Sequence, residues 1–216
     1  MITVPEAVQT IIRQTPFLEE ALSRGIINLS ALSRQIRPEI EKYLLKNVTE
    51  GSILMALKRL PTQLRSETQI RRVFERRHEI IVRSNLLEFT LLNSDFSTLK
   101  HKKIVEECGD QKHFLTITQG IFETTIIASG QLEDKIESIL EKDKIIFRLN
   151  NLSSITIRLP VKNVLTPGIY YSLLKFLAWE GINIVEVVST FTEFTIILED
   201  KETDRAFSVL KKSLSY

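Results

Sequence analysis

The side chains able to do chemistry in this chain are few and scattered. The three histidines, His78, His101 and His113, stand at spacings that no common metal site uses, and Cys108 has no second cysteine to pair with. Cys108 sits beside Gly109 at the end of a polar helical stretch, where an ordinary helix-end cysteine is a simpler reading than a nucleophile. The seven glycines are never adjacent, and none belongs to a G-x-x-x-x-G-K or other Gly-rich loop that could cradle phosphate. Lys100, Lys102 and Lys103 form a basic run without glycine, and no constellation of metal-binding carboxylates accompanies it, as phosphoryl transfer would require. G-x-S-x-G and H-E-x-x-H are absent. The expectation is a binding protein rather than an enzyme, with no cofactor and no metal.

The elements that would position a binding site are clearest between Ile155 and Leu214. Ile155, Ile157 and Leu159 alternate with Thr156 and Arg158, as in a half-buried strand. Pro167 and Gly168 mark a loop and open a helix, proline being suited to a first helical turn. Ile169, Leu173, Phe176 and Leu177 make one apolar stripe; Tyr170, Leu174, Ala178 and Trp179 make a second. A helix apolar over that much of its circumference packs against two things, its own sheet and a second unit or partner. Gly181 stops the helix. Strand-like runs follow at Ile184–Thr190 and Phe194–Leu198, with Phe191-Thr192-Glu193 as the turn, and a last helix from near Thr203 turns Ala206, Val209 and Leu210 inward. Strand, helix, hairpin, helix is a split βαβ, ferredoxin-like arrangement.

The same pattern occurs twice. Shifted by seventy residues, HFLTITQGIFETTIIA (113–128) lies on NIVEVVSTFTEFTIIL (183–198), pairing Glu123 with Glu193, Thr125 with Thr195, Ile126 with Ile196 and Ile127 with Ile197. Without a gap, Asp134-Lys135-Ile136 falls on Asp204-Arg205-Ala206, and Leu87 and Phe89 fall on Ile157 and Leu159. Ser97-Thr98 stands where the second copy has Pro167-Gly168, and the first helix, Thr98–Glu107, is much more polar. Ile145–Leu149 reads as a fourth strand for the first copy; no strand-like run follows the second, but Glu79–Arg83 upstream is strand-like.

The run TPGIYYSLLKFLAWEGINI followed by VVSTFTEFTII resembles the ACT domain, most closely the copies in the regulatory half of aspartokinases. The resemblance covers residues 155–214 and stops short of any kinase domain. It implies a ferredoxin-like βαββαβ unit that senses a small molecule, usually an amino acid, and a homodimer formed by sheets joined side by side. It also implies that an upstream strand, Ile80–Val82, completes the later unit. Carried onto this sequence, the ligand site is the loop Asn163, Val164, Leu165, Thr166, Pro167, Gly168 and Ile169 with Asn183 and Ile184 at the start of the next strand. Glycine there admits close backbone approach, a helix N-terminus favours a carboxylate, and Asn163 and Thr166 can donate and accept. The acidic residue that often precedes the PG pair is missing, and the same fold can also serve only as a dimer scaffold.

Residues 4–64 read as helices alone. Val8, Ile11 and Ile12 form a stripe, Pro16 opens a helix holding Phe17, Leu18, Ala21 and Leu22, and Gly25 ends it. Asn28 or Ser30 caps a short helix, LSALSRQI; Pro38 starts another, PEIEKYLL; Thr49 precedes EGSILMALKRL with Ile53, Leu54, Leu57 and Leu60 facing inward. ALSRQI, a spacer and GSILMALKRL resemble a helix-turn-helix of the winged-helix kind; a small docking bundle is the alternative. Between Lys58 and Arg83 eight basic residues, among them Lys58, Arg59, Arg65, Arg71, Arg72, Arg76 and Arg77, oppose three acidic ones, a net +5 in a chain of net +2. Such a patch suits DNA, and equally a solvated connecting helix.

The expected fold class is therefore α+β: an all-α, winged-helix-like domain over residues 1–64, a basic connecting helix over 65–78, and two tandem ferredoxin-like ACT units over 79–152 and 153–216, the second completed by strand 79–83. The expected function is a regulatory protein that binds an amino acid or similar effector, the alternative a ligand-responsive DNA-binding transcription regulator. Residues 1–15 lack the long apolar core of a signal peptide, no run of eighteen apolar residues exists, and a single cysteine fits a reducing compartment. A cytoplasmic protein without membrane contact is expected.

Overall fold

The computed structural model describes residues 2–60, 79–94, 96–110, 112–140 and 145–214. The chain divides into two compact units, Met1–Arg71 and Arg72–Tyr216. The basic stretch 65–78, with Arg65, Arg71, Arg72, Arg76 and Arg77, lies outside the described residues. Among those described, no helix is long and apolar enough to cross a membrane.

The first unit holds helices α1 (Val4–Arg13), α2 (Pro16–Ser23), α3 (Leu29–Leu44) and α4 (Glu50–Arg59), and no strand accompanies them among the described residues. Their starts are local chemistry. Thr3 and Glu6 form a reciprocal capping box on α1, the Asn28 Oδ1 accepts from the Ser30 and Ala31 amides at 3.1 Å, and the Thr49 hydroxyl accepts from Ser52. Gly25, at φ +69, follows α2. Ile11, Ile12, Ile36, Ile40, Ile53 and Leu57 meet in one apolar core. The expected break at Pro38 does not occur, since α3 runs through it for sixteen residues. Proline removes one backbone hydrogen bond on an exposed face, while Ile36 and Ile40 on either side are buried, so packing holds the helix together. The short positioning helix of the helix-turn-helix reading is therefore a long one.

The second unit is a six-stranded antiparallel sheet with helices between its strands. In chain order these are β1 (Ile80–Leu92), α5 (Thr98–Cys108), β2 (Leu115–Gln119), β3 (Glu123–Ser129), α6 (Glu133–Leu140), β4 (Ile145–Arg158), α7 (Ile169–Trp179), β5 (Glu186–Ser189), β6 (Glu193–Glu199) and α8 (Thr203–Leu214). The strand order is β2-β3-β1-β4-β6-β5. Ile145–Leu149 and Ile155–Arg158, read as separate strands, are one fourteen-residue strand. β1 and β4 lie side by side at the centre, and each is kinked at an asparagine with positive φ, Asn85 and Asn151. Beyond the kinks each strand pairs with its own hairpin, β1 with β3 and β4 with β6. Before the kink, Ile80–Val82 lies against Ile155–Ile157.

Strand register corrects the gapless repeat. Leu86–Leu92 oppose Ser129–Glu123, and Leu152–Arg158 oppose Glu199–Glu193. The hairpins are seventy residues apart, but the strands they pair with are sixty-six apart, so Phe89 corresponds to Ile155 and Leu91 to Ile157. The four extra residues of the second half fall between strand and hairpin. The connection into the helix accounts for them, being residues 93–97 in the first half and the five-residues-longer 159–168 in the second, less one residue between helix and hairpin.

Alternation places Leu87, Phe89 and Leu91 on the face covered by α5 and α6, with Ile104, Ile126 and Ile136. In the second half Ile155, Ile157, Leu173, Leu177, Ile196 and Leu210 are likewise buried. On the opposite face Leu86 and Leu152, directly paired, form a smaller apolar cluster with Ile127 and Ile197.

Candidate functional site

The long connection between β4 and α7 is ordered by its own polar groups. Val161–Leu165 forms a 3-10 turn, a feature read from sequence only as loop. Asn163 is buried, and its Nδ2 donates to the carbonyls of Pro160 at 3.0 Å and Phe191 at 2.7 Å. The Thr166 hydroxyl donates to the Lys162 carbonyl at 3.0 Å, and its amide to Asn163. The Leu159 amide donates to Thr192 at 2.7 Å. Asn163 thus clips the loop to the β5–β6 turn, and the donors of both polar side chains serve the loop's own structure.

Val164 and Leu165 are exposed, the latter at 83%. Pro167 does not enter the helix; it precedes Gly168, which stands as N-cap at φ +81, a left-handed conformation that a side chain would strain. Glycine offers no capping side chain, so the first-turn N–H groups of α7 lack the cap that Ser97 supplies to α5 through Lys100. Ile169 itself is buried.

Asn183 and Ile184 are placed elsewhere. β5 begins at Glu186, so both residues precede the strand, exposed and half-buried respectively. They follow the C-terminal end of α7, whereas the 163–168 loop leads into its N-terminal end, about 16 Å away along the eleven-residue helix. Within one chain the structure brings together the loop and the β5–β6 turn, and sets Asn183-Ile184 at the other end. The turn residues, Phe191 above all, were missed from sequence because the contact that recruits them is a side-chain bond across twenty-eight residues.

α7 buries Ile169, Leu173 and Leu177, but Phe176, read as part of that stripe, is exposed. Tyr170 stacks on the buried Phe194 with ring centroids 4.9 Å apart, and the Lys175 ammonium lies 5.2 Å over Phe176 and 5.5 Å over Tyr171. Trp179 is 68% exposed.

Elsewhere, Cys108 is buried, and that burial pushes its thiol up, away from a reactive thiolate. The His113 Nδ1 is 2.9 Å from Asp110, which also accepts the Lys112 and His113 amides and is held below its ordinary pKa by the His113 bonds first of all. No group of three or more His, Cys, Asp or Glu residues that could hold a metal occurs among the described residues. Lys58 and Arg59 are exposed at the end of α4.

No protein-family model matches the chain, and no curated protein matches it. Solved structures share the fold of part of the chain. A structure of aspartokinase alpha and beta subunits is 15% identical, covers 63% of this chain and 97% of its own, and has a TM-score of 0.51. The regulatory subunit of aspartate kinase from Thermus thermophilus, in a ligand-free form, is 11% identical over 62% of this chain and 95% of its own, with a TM-score of 0.50. An aspartate kinase from Clostridium acetobutylicum, described as allosteric, is 14% identical over 62% of this chain with a TM-score of 0.51, but the match spans only 34% of that enzyme. At these identities the likeness is one of fold, an ACT-type fold like that of aspartokinase regulatory subunits.

Proposed function

We propose that this chain is a regulatory, non-catalytic protein whose sheet comprises two ACT-like, ferredoxin-like units, and that it binds a small effector, an amino acid in the first instance. The effector's carboxylate is received at the N-terminal turn of α7. The observation that carries this reading is the uncapped turn behind Gly168, fed by an exposed loop that is held in place from beneath by Asn163. Free N–H groups at a helix start, with the helix dipole behind them, are suited to an anionic group. The fold shared with aspartokinase regulatory subunits supports the regulatory role. The exposed aromatic face of α7 supports a homodimer, whose second copy can bring its own Asn183-Ile184 to the loop.

The test is thermal unfolding of the full chain against each of the twenty amino acids. An effector that binds only the folded form adds about 2.7 kcal/mol at a hundredfold excess over its Kd. The expected result is a shift selective for one or a few amino acids and lost in Gly168→Ala, whose own midpoint is lower because a Cβ strains the left-handed cap. A flat panel defeats the amino-acid reading.

A further inference from the structure

On the face opposite the helices, Glu88 stands in the middle of β1, across from Ile127 on β3 and Leu149 on β4. It is only 3% exposed. Its Oε1 accepts from the Thr90 hydroxyl at 3.3 Å, and that hydroxyl lies 3.3 Å from the Thr125 hydroxyl on β3. The other oxygen, Oε2, is buried and has no hydrogen-bond partner among the described residues. The neighbouring cluster of Leu86, Ile127, Leu152 and Ile197, with Phe114, Leu149, Val185 and Val188 packed against it, supplies no cation. The same face carries another carboxylate, since Glu186 on β5 lies opposite Ile197 of that cluster.

β4 and β6 stand between β1 and β5, and three strand spacings in a flat sheet amount to about 14 Å. Val188, two residues beyond Glu186 along the same face of β5, packs against the cluster that also holds Leu86 and Ile127, so the β5–β6 hairpin shares this face with the centre of the sheet. A buried carboxylate without a cation is costly, so burial first, and repulsion from Glu186 next, push the Glu88 carboxyl above the usual range.

The other half of the sheet shows that the fold does not need an acid here. The hydroxyl pair Thr90–Thr125 recurs as Thr156–Thr195 at 2.8 Å. At the positions equivalent to Glu88 and Glu186, however, stand Ser154 and Thr116, both neutral. Only one of two corresponding places on this face carries the pair of carboxyl groups.

We propose that Glu88 is a proton-operated latch between the centre of the sheet and the β5–β6 hairpin. As the neutral acid it lies buried and this face of the sheet stays closed. As the carboxylate it repels Glu186, draws water toward Leu86, Leu152, Ile127 and Ile197, and loosens the hairpin. The turn of that hairpin accepts the Asn163 bond through Phe191, so the latch also reaches the loop before α7.

The experiment compares wild type, Glu88→Gln and Glu186→Gln. Two quantities are followed from about pH 5 to about pH 9, the carboxyl carbon resonances of the glutamates and the thermal midpoint. The resonance lost in Glu88→Gln identifies Glu88. In wild type it should titrate above the other glutamates. Between the ordinary and the raised pKa the folded chain holds a proton that the unfolded chain has released, so stability is lost as pH rises through that interval. The wild-type midpoint should therefore fall relative to Glu88→Gln across the Glu88 titration. In Glu186→Gln the titration should move down toward the ordinary carboxylate range and the fall should shrink. Amide exchange in Glu186–Ser189, corrected for its intrinsic pH dependence, should quicken above the titration in wild type but not in Glu88→Gln. The proposal is overturned if Glu88 titrates with the exposed glutamates, or if Glu88→Gln shows the wild-type pH dependence of midpoint and exchange. Through-bond correlation from the assigned backbone identifies the same Glu88 resonance in wild type and Glu186→Gln, so that comparison needs no folded Glu88→Gln.

Discussion

The two halves of the sheet share a plan and differ in how they finish it. In the first, α5 is capped by Ser97, joined to β1 by a short connection, and faces solvent with polar groups such as the Lys102–Glu106 pair. Arg148 lies 5.3 Å over Phe89 and bonds to Glu133 and Glu137, sealing the rim of that core. Asn93 fastens the strand end, its amide donating to Phe122 at 2.9 Å and its side chain to Gly120. In the second, the connection is longer, the helix start is left to glycine, and Tyr171, Phe176 and Trp179 face outward. Corresponding strands with corresponding hairpins thus support one half whose helix start is capped by a side chain and one half whose helix start is not, and α7 exposes aromatic side chains where α5 exposes the aliphatic Leu99 and Val105. An exposed aromatic face on one helix is a feature of interaction rather than of packing.

The comparison can be broken or sharpened by mutation. The largest effects belong to the shared cores. In urea unfolding Phe89→Ala should cost about 3 to 5 kcal/mol and its counterpart Ile155→Ala about 2 to 5 kcal/mol. Because β1 and β4 are common to both halves, each variant should unfold the sheet in one transition; two transitions would show the halves to be independent. Next comes the outer face of α7. Trp179→Lys should weaken self-association by roughly thirtyfold, the loss of about 2 kcal/mol typical of an aromatic anchor, without changing the far-ultraviolet spectrum. Lys102→Ala on α5 should leave the sedimentation behaviour unchanged, and equal effects from the two would remove the distinction between the helices. The smallest effect is at the caps, where Ser97→Ala should lower stability by about 1 kcal/mol and leave any effector response intact.

How much of this was legible depends on the range of the interaction involved. The caps at Asn28 and Thr49 and the glycines at 25 and 181 act within one helical turn, so residue type and spacing suffice to place them. Hairpins are nearly as local, and the seventy-residue spacing of β3 and β6 stands in the sequence itself. The loop before α7 was visible through its proline and glycine, but the part played by Asn163 was not, because its partner carbonyl at Phe191 is brought there by the fold.

The sequence by itself determined the alternation of the strands, the helix caps at Asn28 and Thr49, the glycine stops at 25 and 181, and the polar character of α5 against the aromatic character of α7. Those follow from side-chain chemistry and short spacings. Tertiary structure decided the sixty-six-residue correspondence of β1 and β4, the survival of α3 through Pro38, the exposure of Phe176 and the burial of Glu88. Each of these is settled by what a distant segment places opposite, and register between strands far apart in the chain is fixed only when their hydrogen bonds and apolar faces meet.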